Sequence, residues 1–438
     1  MLVHETLPFP ASWPLVVISS GSHMKKKLYD VVVFGATSFV GQILCRYLLG
    51  EFGTAANPRA RKLNWAIAGR SRSKLDALAA SLGADAKKLA IIVADAGDET
   101  ALEKLCADTR VVVSTVGPDA LYGETLVRTC RRSGTDYCDL TGEPHWVRRM
   151  IGKYEEDARR SGARIVHCCG FDSIPSDLGV WFLQRQAMQK WGAPCGEVKM
   201  RVKAMRGAAS GGTVASMLNI VREAARDPAL RKELSNPYSL CPPESAPKVR
   251  QANVRSATYD PDHQAWSAPF VRAAINIRMV LRSNALQDYQ YGRDFRYDEA
   301  MLTGKGVAGH VRAVGVTATM GGFLAAAAIP PTRWLMEKTI LPAPGDGPSP
   351  EAQETGFYDF RFVGRGGEGR ELRVKVTGDR DPGYGSTAKI LGEAAACLAL
   401  DISKDAVDGG FWTPSTAMGA ALQTRLESHA GLKFEVLT

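Results

Sequence analysis

Between Tyr29 and about His167 the chain alternates short apolar runs with segments of helical period. The runs are Val31–Phe34, Leu63–Ala68, Leu89–Ala94, Val111–Ser114, Tyr137–Leu140 and Arg164–His167. Between them, Ser73–Leu82, Leu121–Arg132 and Pro144–Arg160 repeat their apolar residues at helical spacing. A strand buried on both faces has no solvent side, so it reads as a continuous apolar run. Strand–helix alternation implies right-handed crossovers and a parallel sheet. Six strands in this rhythm predict a doubly wound Rossmann sheet.

The pattern changes after about Cys195. Residues 197–206 read as a strand leading into Gly207–Gly212, and a Pro- and Ser-containing stretch follows over about 235–270. In 357–363, Tyr358, Phe360 and Phe362 alternate with Asp359 and Arg361. In 371–376, Leu372, Val374 and Val376 alternate with Arg373 and Lys375. This period of two marks antiparallel strands with one face buried, joined by a turn in Gly364–Gly369. Helical segments near 386–400 and 415–428 close the chain. The predicted fold is α/β: an N-terminal Rossmann doubly wound parallel sheet with a second, α+β domain containing a mostly antiparallel sheet. The predicted divisions are a leader or cloning-derived segment over 1–24, a Rossmann NADP-binding domain over 25–195, an α+β substrate or oligomerisation domain over 196–380, and C-terminal helices with a terminal strand over 381–438.

Composition narrows the class. A chain of 438 residues is long enough for two cores, since single cores stop growing near ~250–300 residues. Hydrophobic residues at 45% and charged residues at 23% fit a soluble globular protein. The formal charge of +9 favours anionic ligands. The arginines are scattered rather than gathered with base-stacking aromatics, so nucleic acid is not expected as a partner. The nine cysteines form no CxxC pair and the seven histidines no HExxH spacing. This is a reduced, cytoplasmic pattern, and no metal is expected. Gly21-Ser22-His23-Met24 has the look of a vector-derived junction, and Lys25–Lys27 follow the short apolar run rather than precede it, against a signal peptide. Val314–Ile329 is shorter than the ~20 apolar residues of a membrane span. It reads as a buried helix, with lipid contact and membrane association as the lesser alternative.

The sharpest chemical signal follows the first strand. Gly35-Ala36-Thr37-Ser38-Phe39-Val40-Gly41 opens a helix whose free N–H groups suit a pyrophosphate. Gly35 permits the tight turn and Gly41 close helix–strand packing, while Ser38 stands where the usual fingerprint has its middle glycine. The second strand ends in Gly69-Arg70-Ser71, followed by Arg72 and Lys74, where NAD-specific folds carry a carboxylate for the ribose. A guanidinium is a planar, permanent phosphate binder, so Arg70 with Ser71 favours NADP(H). Arg72 and Lys74 read as solvated first-turn residues. Asp95, after the third strand, is either a neighbour of the adenine or a helix cap. Thr115-Val116-Gly117, after the fourth, lines the nicotinamide side at the carboxyl edge of the sheet.

With these motifs, Gly117-Pro118…Leu121-Tyr122-Gly123-Glu124, Asp139–Pro144, Gly170–Asp177 and Gly409–Pro414 resemble the saccharopine dehydrogenase-like oxidoreductases. Ala268-Pro269-Phe270, Ile275-Asn276, Arg282–Leu286 and Asp379–Gly385 narrow the resemblance to the trans-acting enoyl reductases. That resemblance implies reduction of a double bond in a polyketide or lipid chain for a partner synthase, and hence lipid metabolism, an apolar acyl substrate and a carrier protein. A homodimer is left open. No Tyr has a Lys four residues on, so short-chain dehydrogenase alcohol chemistry is not supported. Tyr122 is the candidate proton donor, with packing against the cofactor or the helix start as the favoured alternative. Asp172 with Ser173 either binds substrate or caps the helix at Ile174-Pro175, the cap being favoured. Two other readings stay open. One is saccharopine-type amino-acid chemistry, with Arg278, Arg282 and Arg296 as the cations. The other is a non-catalytic lipid-associated protein that keeps the Rossmann fold.

Overall fold

The computed structural model describes residues 27–437 apart from 55–58, 60, 208–210 and 340–346. The reading of residues 1–24 lies outside the described residues. The first sheet takes strands β1 (Tyr29–Phe34), β2 (Trp65–Gly69), β3 (Ala90–Val93), β4 (Thr109–Ser114), β5 (Asp136–Asp139) and β6 (Arg164–Val166). A seventh strand, β13 (Gly410–Trp412), arrives from near the chain end, and the order is β13-β6-β5-β4-β1-β2-β3. All its pairings are parallel; Val31, for instance, registers with Trp65 on one side and Val111 on the other. The sequence predicts six strands, and the seventh escapes because three residues are too few to show a period.

The second sheet is built from β7 (Glu197–Arg206), β8 (Thr258–Asp260), β9 (Ala265–Pro269), β10 (Arg296–Gly304), β11 (Phe357–Arg365), β12 (Glu371–Gly378) and β14 (Leu432–Leu437). Its order is β14-β12-β11-β7-β10-β9-β8. Only β7 and β10 pair in parallel. The predicted hairpin is β11–β12, with Phe360 opposite Val376 and Phe362 opposite Val374. Its apolar side chains are buried against the helix Ile174–Trp191, where Gly179 leaves room for the Phe362 ring: a Cβ there would lie 2.4 Å from Phe362 Cζ.

Residues 381–437 are shared between both layers. The helix Thr387–Leu400 lies against β1, β4 and β5 and against the helix Phe39–Phe52. The small side chains Ala394, Ala395 and Ala396 let it approach, and it is buried from Ile390 to Ala399. Strand β13 then completes the first sheet and β14 the edge of the second. Arg164 anchors this return. Its guanidinium, 2% exposed, meets Asp136 (Nε to Oδ2, 3.0 Å) and donates to the carbonyls of Leu398 (3.0 Å), Ile402 (2.9 Å) and Ser403 (3.1 Å).

One expectation is corrected outright. The helix foreseen over Val314–Ile329 begins earlier, at Gly306, and runs to Ala328. It is mostly exposed rather than buried: Val307 is 82% and Val311 64% exposed. The polar residues His310 and Arg312 hid its first turns from an apolar-run reading, although a helix tolerates both.

Replacing Arg164 by Met should cost about 3 kcal/mol, because it leaves three carbonyls without their donor and the buried Asp136 with Lys404 as its remaining cation. Urea unfolding followed by circular dichroism would check this; a change below about 1 kcal/mol would show that Lys404 and apolar packing hold the chain return without the arginine.

Candidate active site

The loops at the carboxyl ends of β1–β6 face the second domain across a cleft of about 1440 Å³. This exceeds the ~300–1,000 Å³ of a typical single-ligand pocket, so a dinucleotide leaves room for a second molecule. Of the residues singled out for the cofactor, Gly35, Thr37, Ser38, Phe39, Val40, Arg70, Asp95, Thr115, Val116 and Gly117 line it. Gly41 and Ser71 do not. Gly41 sits beneath the loop, where a Cβ would stand 2.4 Å from the Gly35 carbonyl oxygen and 2.8 Å from that of Ala36. Ser71 caps the helix Arg72–Ser81. Tyr122 and Asp172 line the cleft as well.

The loop after β1 is held from within. Gly35 has φ +82°, and a Cβ on it would strike Val116 Cγ2 at 2.7 Å. Ser38 is the N-cap of the helix Phe39–Phe52, accepting from Gly41 N at 3.0 Å. Its hydroxyl also donates to Thr115 Oγ1 (3.0 Å), which donates in turn to the Gly35 carbonyl (2.9 Å). Ser38 is thus more than a small residue in a glycine's place: it joins the β1 loop to the β4 loop. Phe39 meets Tyr384 edge-on at 4.7 Å, so the Asp379–Gly385 motif closes the loop from the far end of the chain.

At the β2 end, Arg70 is exposed and makes no ion pair or side-chain hydrogen bond among the described residues. Lys74, read as a solvated first-turn residue, also lines the cleft with its ammonium unpaired. Arg72 turns away to Asp76 (3.0 Å). Asp95 does not cap a helix; Asp98 does that, accepting from Ala101 N. The Asp95 carboxylate instead accepts from Gly97 N at 2.8 Å and shapes the wall of the cleft. A glycine turn into a helix N-terminus, with unpaired cations where a ribose phosphate would lie, fits NADP.

The β4–β6 end carries the polar chemistry. After the cis Gly117–Pro118 bond comes Asp119, 6% exposed and lining the cleft. Burial, with Asp139 and Glu143 close behind, holds its carboxyl well above the usual carboxylate range, while a Thr141 hydroxyl hydrogen bond pulls the other way. No cation pairs with it among the described residues. Glu143 is fully buried; it accepts from Asp119 N (3.2 Å), Ala120 N (3.2 Å) and Ser216 Oγ (2.7 Å), and burial raises its pKa too. Asp139 receives Cys168 N at 3.0 Å and faces His167 Nδ1 at 2.6 Å. The other carboxyls of the cleft are engaged. Glu124 takes Lys153 and Tyr154, both at 2.8 Å, and Asp172 is paired to Arg272. The expectation that Asp172 or Ser173 caps the helix Ile174–Trp191 fails: Ser173 stands at the N-cap position without a capping bond and donates to Asn276 Oδ1 instead (3.3 Å). Sequence reasoning missed Asp119 and Glu143. The signal was there, since Asp119 directly follows the Gly117-Pro118 pair already placed at the nicotinamide side.

The second domain supplies a mostly apolar wall, from Met217, Ile220, Val271, Ile277, Met320 and Leu324 among others. The cations considered for an amino-acid substrate are occupied or absent. Arg278 is bound to Ser239 Oγ (3.0 Å) and to the carbonyls of Leu234 and Ala274. Arg282 is buried on the Leu240 carbonyl (2.5 Å) and the Phe411 carbonyl (2.6 Å). Arg296 does not line the cleft.

Fold and cleft together define a dinucleotide-dependent oxidoreductase. Residues 31–166 match the family model described as the saccharopine dehydrogenase NADP binding domain. The chain is 40% identical over 416 residues to a Mycobacterium tuberculosis protein provisionally named a trans-acting enoyl reductase, covering 93% of this chain and 97% of that one. It is 38% identical over 411 residues to a trans-acting enoyl reductase of Mycobacterium bovis, covering 91% and 95%. Apo saccharopine dehydrogenase (L-Glu forming) from Saccharomyces cerevisiae has the same fold, with a TM-score of 0.50 at 14% identity over 94% of this chain and 100% of that one. The chain belongs to the saccharopine dehydrogenase-like family, in the group of the trans-acting enoyl reductases, and is an NADP-dependent oxidoreductase.

Gly41→Val should abolish NADPH binding while leaving the fold intact, because the new side chain must displace the Gly35 and Ala36 carbonyls. Fluorescence titration with NADPH, beside a thermal melt, measures both; normal binding by the folded variant would place the pyrophosphate elsewhere.

Proposed function

We propose that the protein reduces the C=C bond of an apolar acyl or polyketide-type chain, presented as a thioester on a carrier protein. The observation that carries this reading is the division of the cleft. One end holds unpaired cations and the loop for the cofactor, and the other opens onto a mostly apolar wall where Arg272 and Arg278 are already engaged and no unengaged cation pair for a dicarboxylate lies among the described residues. Arg255, exposed and lining the same cleft, is unpaired among the described residues and suits the phosphate of a pantetheine arm. Saccharopine-type chemistry is correspondingly less favoured.

In this reading Gly35, Thr37, Ser38, Phe39 and Val40 cradle the cofactor, with Gly41 holding their shape. Arg70 and Lys74 take the 2′-phosphate, Ser71 and Asp95 shape the adenosine end, and Thr115, Val116 and Gly117 back the nicotinamide. Bound NADPH supplies a hydride for the β-carbon. Asp119 then gives its proton to the α-carbon. Its carboxyl is suited to keep that proton, because burial first and the two carboxylates behind it second raise its pKa, and no cation faces it among the described residues. Tyr122, 53% exposed at the rim, hydrogen-bonds the thioester carbonyl, where negative charge develops. Asp172 is a positioning residue that fixes Arg272 across the interdomain floor.

Arg70→Glu should weaken NADPH at least about tenfold, roughly 1.4 kcal/mol, and leave NADH little changed. Equal losses for both cofactors would remove the 2′-phosphate from this arginine.

Asp119→Asn should lower kcat by about 10²–10⁴-fold with little change in KM for either substrate. The protonated acid is the working form, so wild-type kcat should fall as pH rises through the raised pKa of Asp119, and the variant should lose that limb. Tyr122→Phe should keep it. The assay is NADPH oxidation with medium- and long-chain enoyl thioesters, run beside saccharopine; turnover confined to saccharopine would reject the proposal.

A further inference from the structure

The helix Gly306–Ala328 packs by one side on β9, β10 and the helix Gly211–Arg226, burying Gly309, Ala313 and Ala327. Among the described residues it alone is long and apolar enough to cross a membrane. Its seat on the second sheet leaves it lying along the surface instead. The opposite side is bare. Val307, Val311, Val314 and Leu324 are 82%, 64%, 47% and 41% exposed, and Ile329, Trp334 and Leu335 extend the patch into the helix Pro330–Thr339 at 52%, 57% and 52%. Seven of the eighteen exposed large apolar side chains among the described residues therefore fall within this one hairpin. Isolated exposed apolar residues are ordinary, but a gathered patch marks an interaction surface.

The charge on this hairpin is mostly of one sign. From Lys305 to Lys338 the sequence contains Lys305, Arg312, Arg333 and Lys338 against a single acid, Glu337. The Lys338 ammonium lies 4.4 Å from the Trp334 ring centroid. An apolar helix face bordered by cations and an indole is the pattern of a helix lying in a lipid interface, where acyl chains take the apolar side chains and anionic headgroups the cations. A second copy is a poorer occupant, because a twofold contact would set together two faces that each carry a net positive charge. The same helix also walls the cleft: Thr317, Met320, Gly321 and Leu324 line it, and Leu324 is shared by the cleft wall and the exposed patch.

We propose that this hairpin docks the protein on an anionic phospholipid surface and that the acyl substrate enters the cleft from that surface, past Leu324. The entry route rests on the acyl-reductase reading above, whereas the docking does not. The experiment is flotation of the full chain with vesicles of phosphatidylcholine alone or with phosphatidylglycerol, at low and high salt. It compares the wild type with a Val307→Asp, Val311→Asp double variant, whose side chains lie outside the cleft. The wild type should float with phosphatidylglycerol vesicles, more weakly at high salt. The variant should lose at least about tenfold of that binding while binding NADPH and turning over a short, water-soluble enoyl thioester as before. Absence of vesicle binding, or binding unchanged in the variant, overturns the proposal. So does a wild-type dimer, seen by sedimentation, that the variant splits while neither protein floats. Failure of both proteins to reduce the soluble thioester would instead count against the reaction, whatever the vesicles show.

Discussion

Arg164 lies where the end of the chain is tied to the first sheet, and the cleft depends on that attachment. Its bonds to the carbonyls at the close of the helix Thr387–Leu400 fix where the helix stops. From there the chain can run on to add β13 to one sheet and β14 to the other. Two sheets connected only through β6 and β7 would be free to hinge. Joined a second time through the chain end, they hold facing walls at a set spacing. The Asp172–Arg272 pair repeats the same logic inside the cleft, crossing from the loop after β6 to the residue before the helix Ala273–Leu286.

Those walls differ because their elements do. The first sheet offers loops at strand ends, rich in backbone N–H groups, hydroxyls and carboxyls. The second domain offers helix sides that are mostly apolar at the positions facing inward. A polar cofactor and an apolar substrate can therefore share one opening without competing for the same surface. Behind the junction stand Asp119, Asp139 and Glu143, three carboxyls with little access to water. Burial, with the repulsion of Asp139 and Glu143 added to it, holds the Asp119 carboxyl well above the usual carboxylate range.

The sequence was legible where a long-range pattern repeated. The β1–β6 alternation, the β1 glycine loop and the β11–β12 hairpin all appear where periodicity and turn chemistry put them. Most residues named for the cofactor gather on one wall, because strand ends of a parallel sheet converge on a single edge. Three-residue β13 carries no period, and its pairing with β6 joins residues some 245 positions apart. Asp119 looks like any first-turn acid until Asp139 and Glu143 are folded behind it. Arg278 and Arg282 look like free cations until the Ser239–Leu240 loop and Phe411 supply carbonyls and a hydroxyl. Burial made by distant segments is what composition and spacing do not encode. The exposure of the helix Gly306–Ala328 belongs to the same class, since an apolar sequence alone does not say which neighbour, if any, covers it.

Ser38 has a consequence for the energetics of the cofactor. Its hydroxyl already occupies Gly41 N, a donor that a glycine at this place would have left open to an anion. The helix start is self-satisfied, and its attraction for a pyrophosphate is reduced by that bond. On the proposed assignment, more of the binding free energy would fall on the exposed Arg70 and Lys74 at the rim, whose pull on a phosphate weakens as salt rises. Affinity and selectivity would then come largely from the same contacts. A cell would regulate this protein less through its total nicotinamide pool than through the fraction of that pool that carries the extra phosphate.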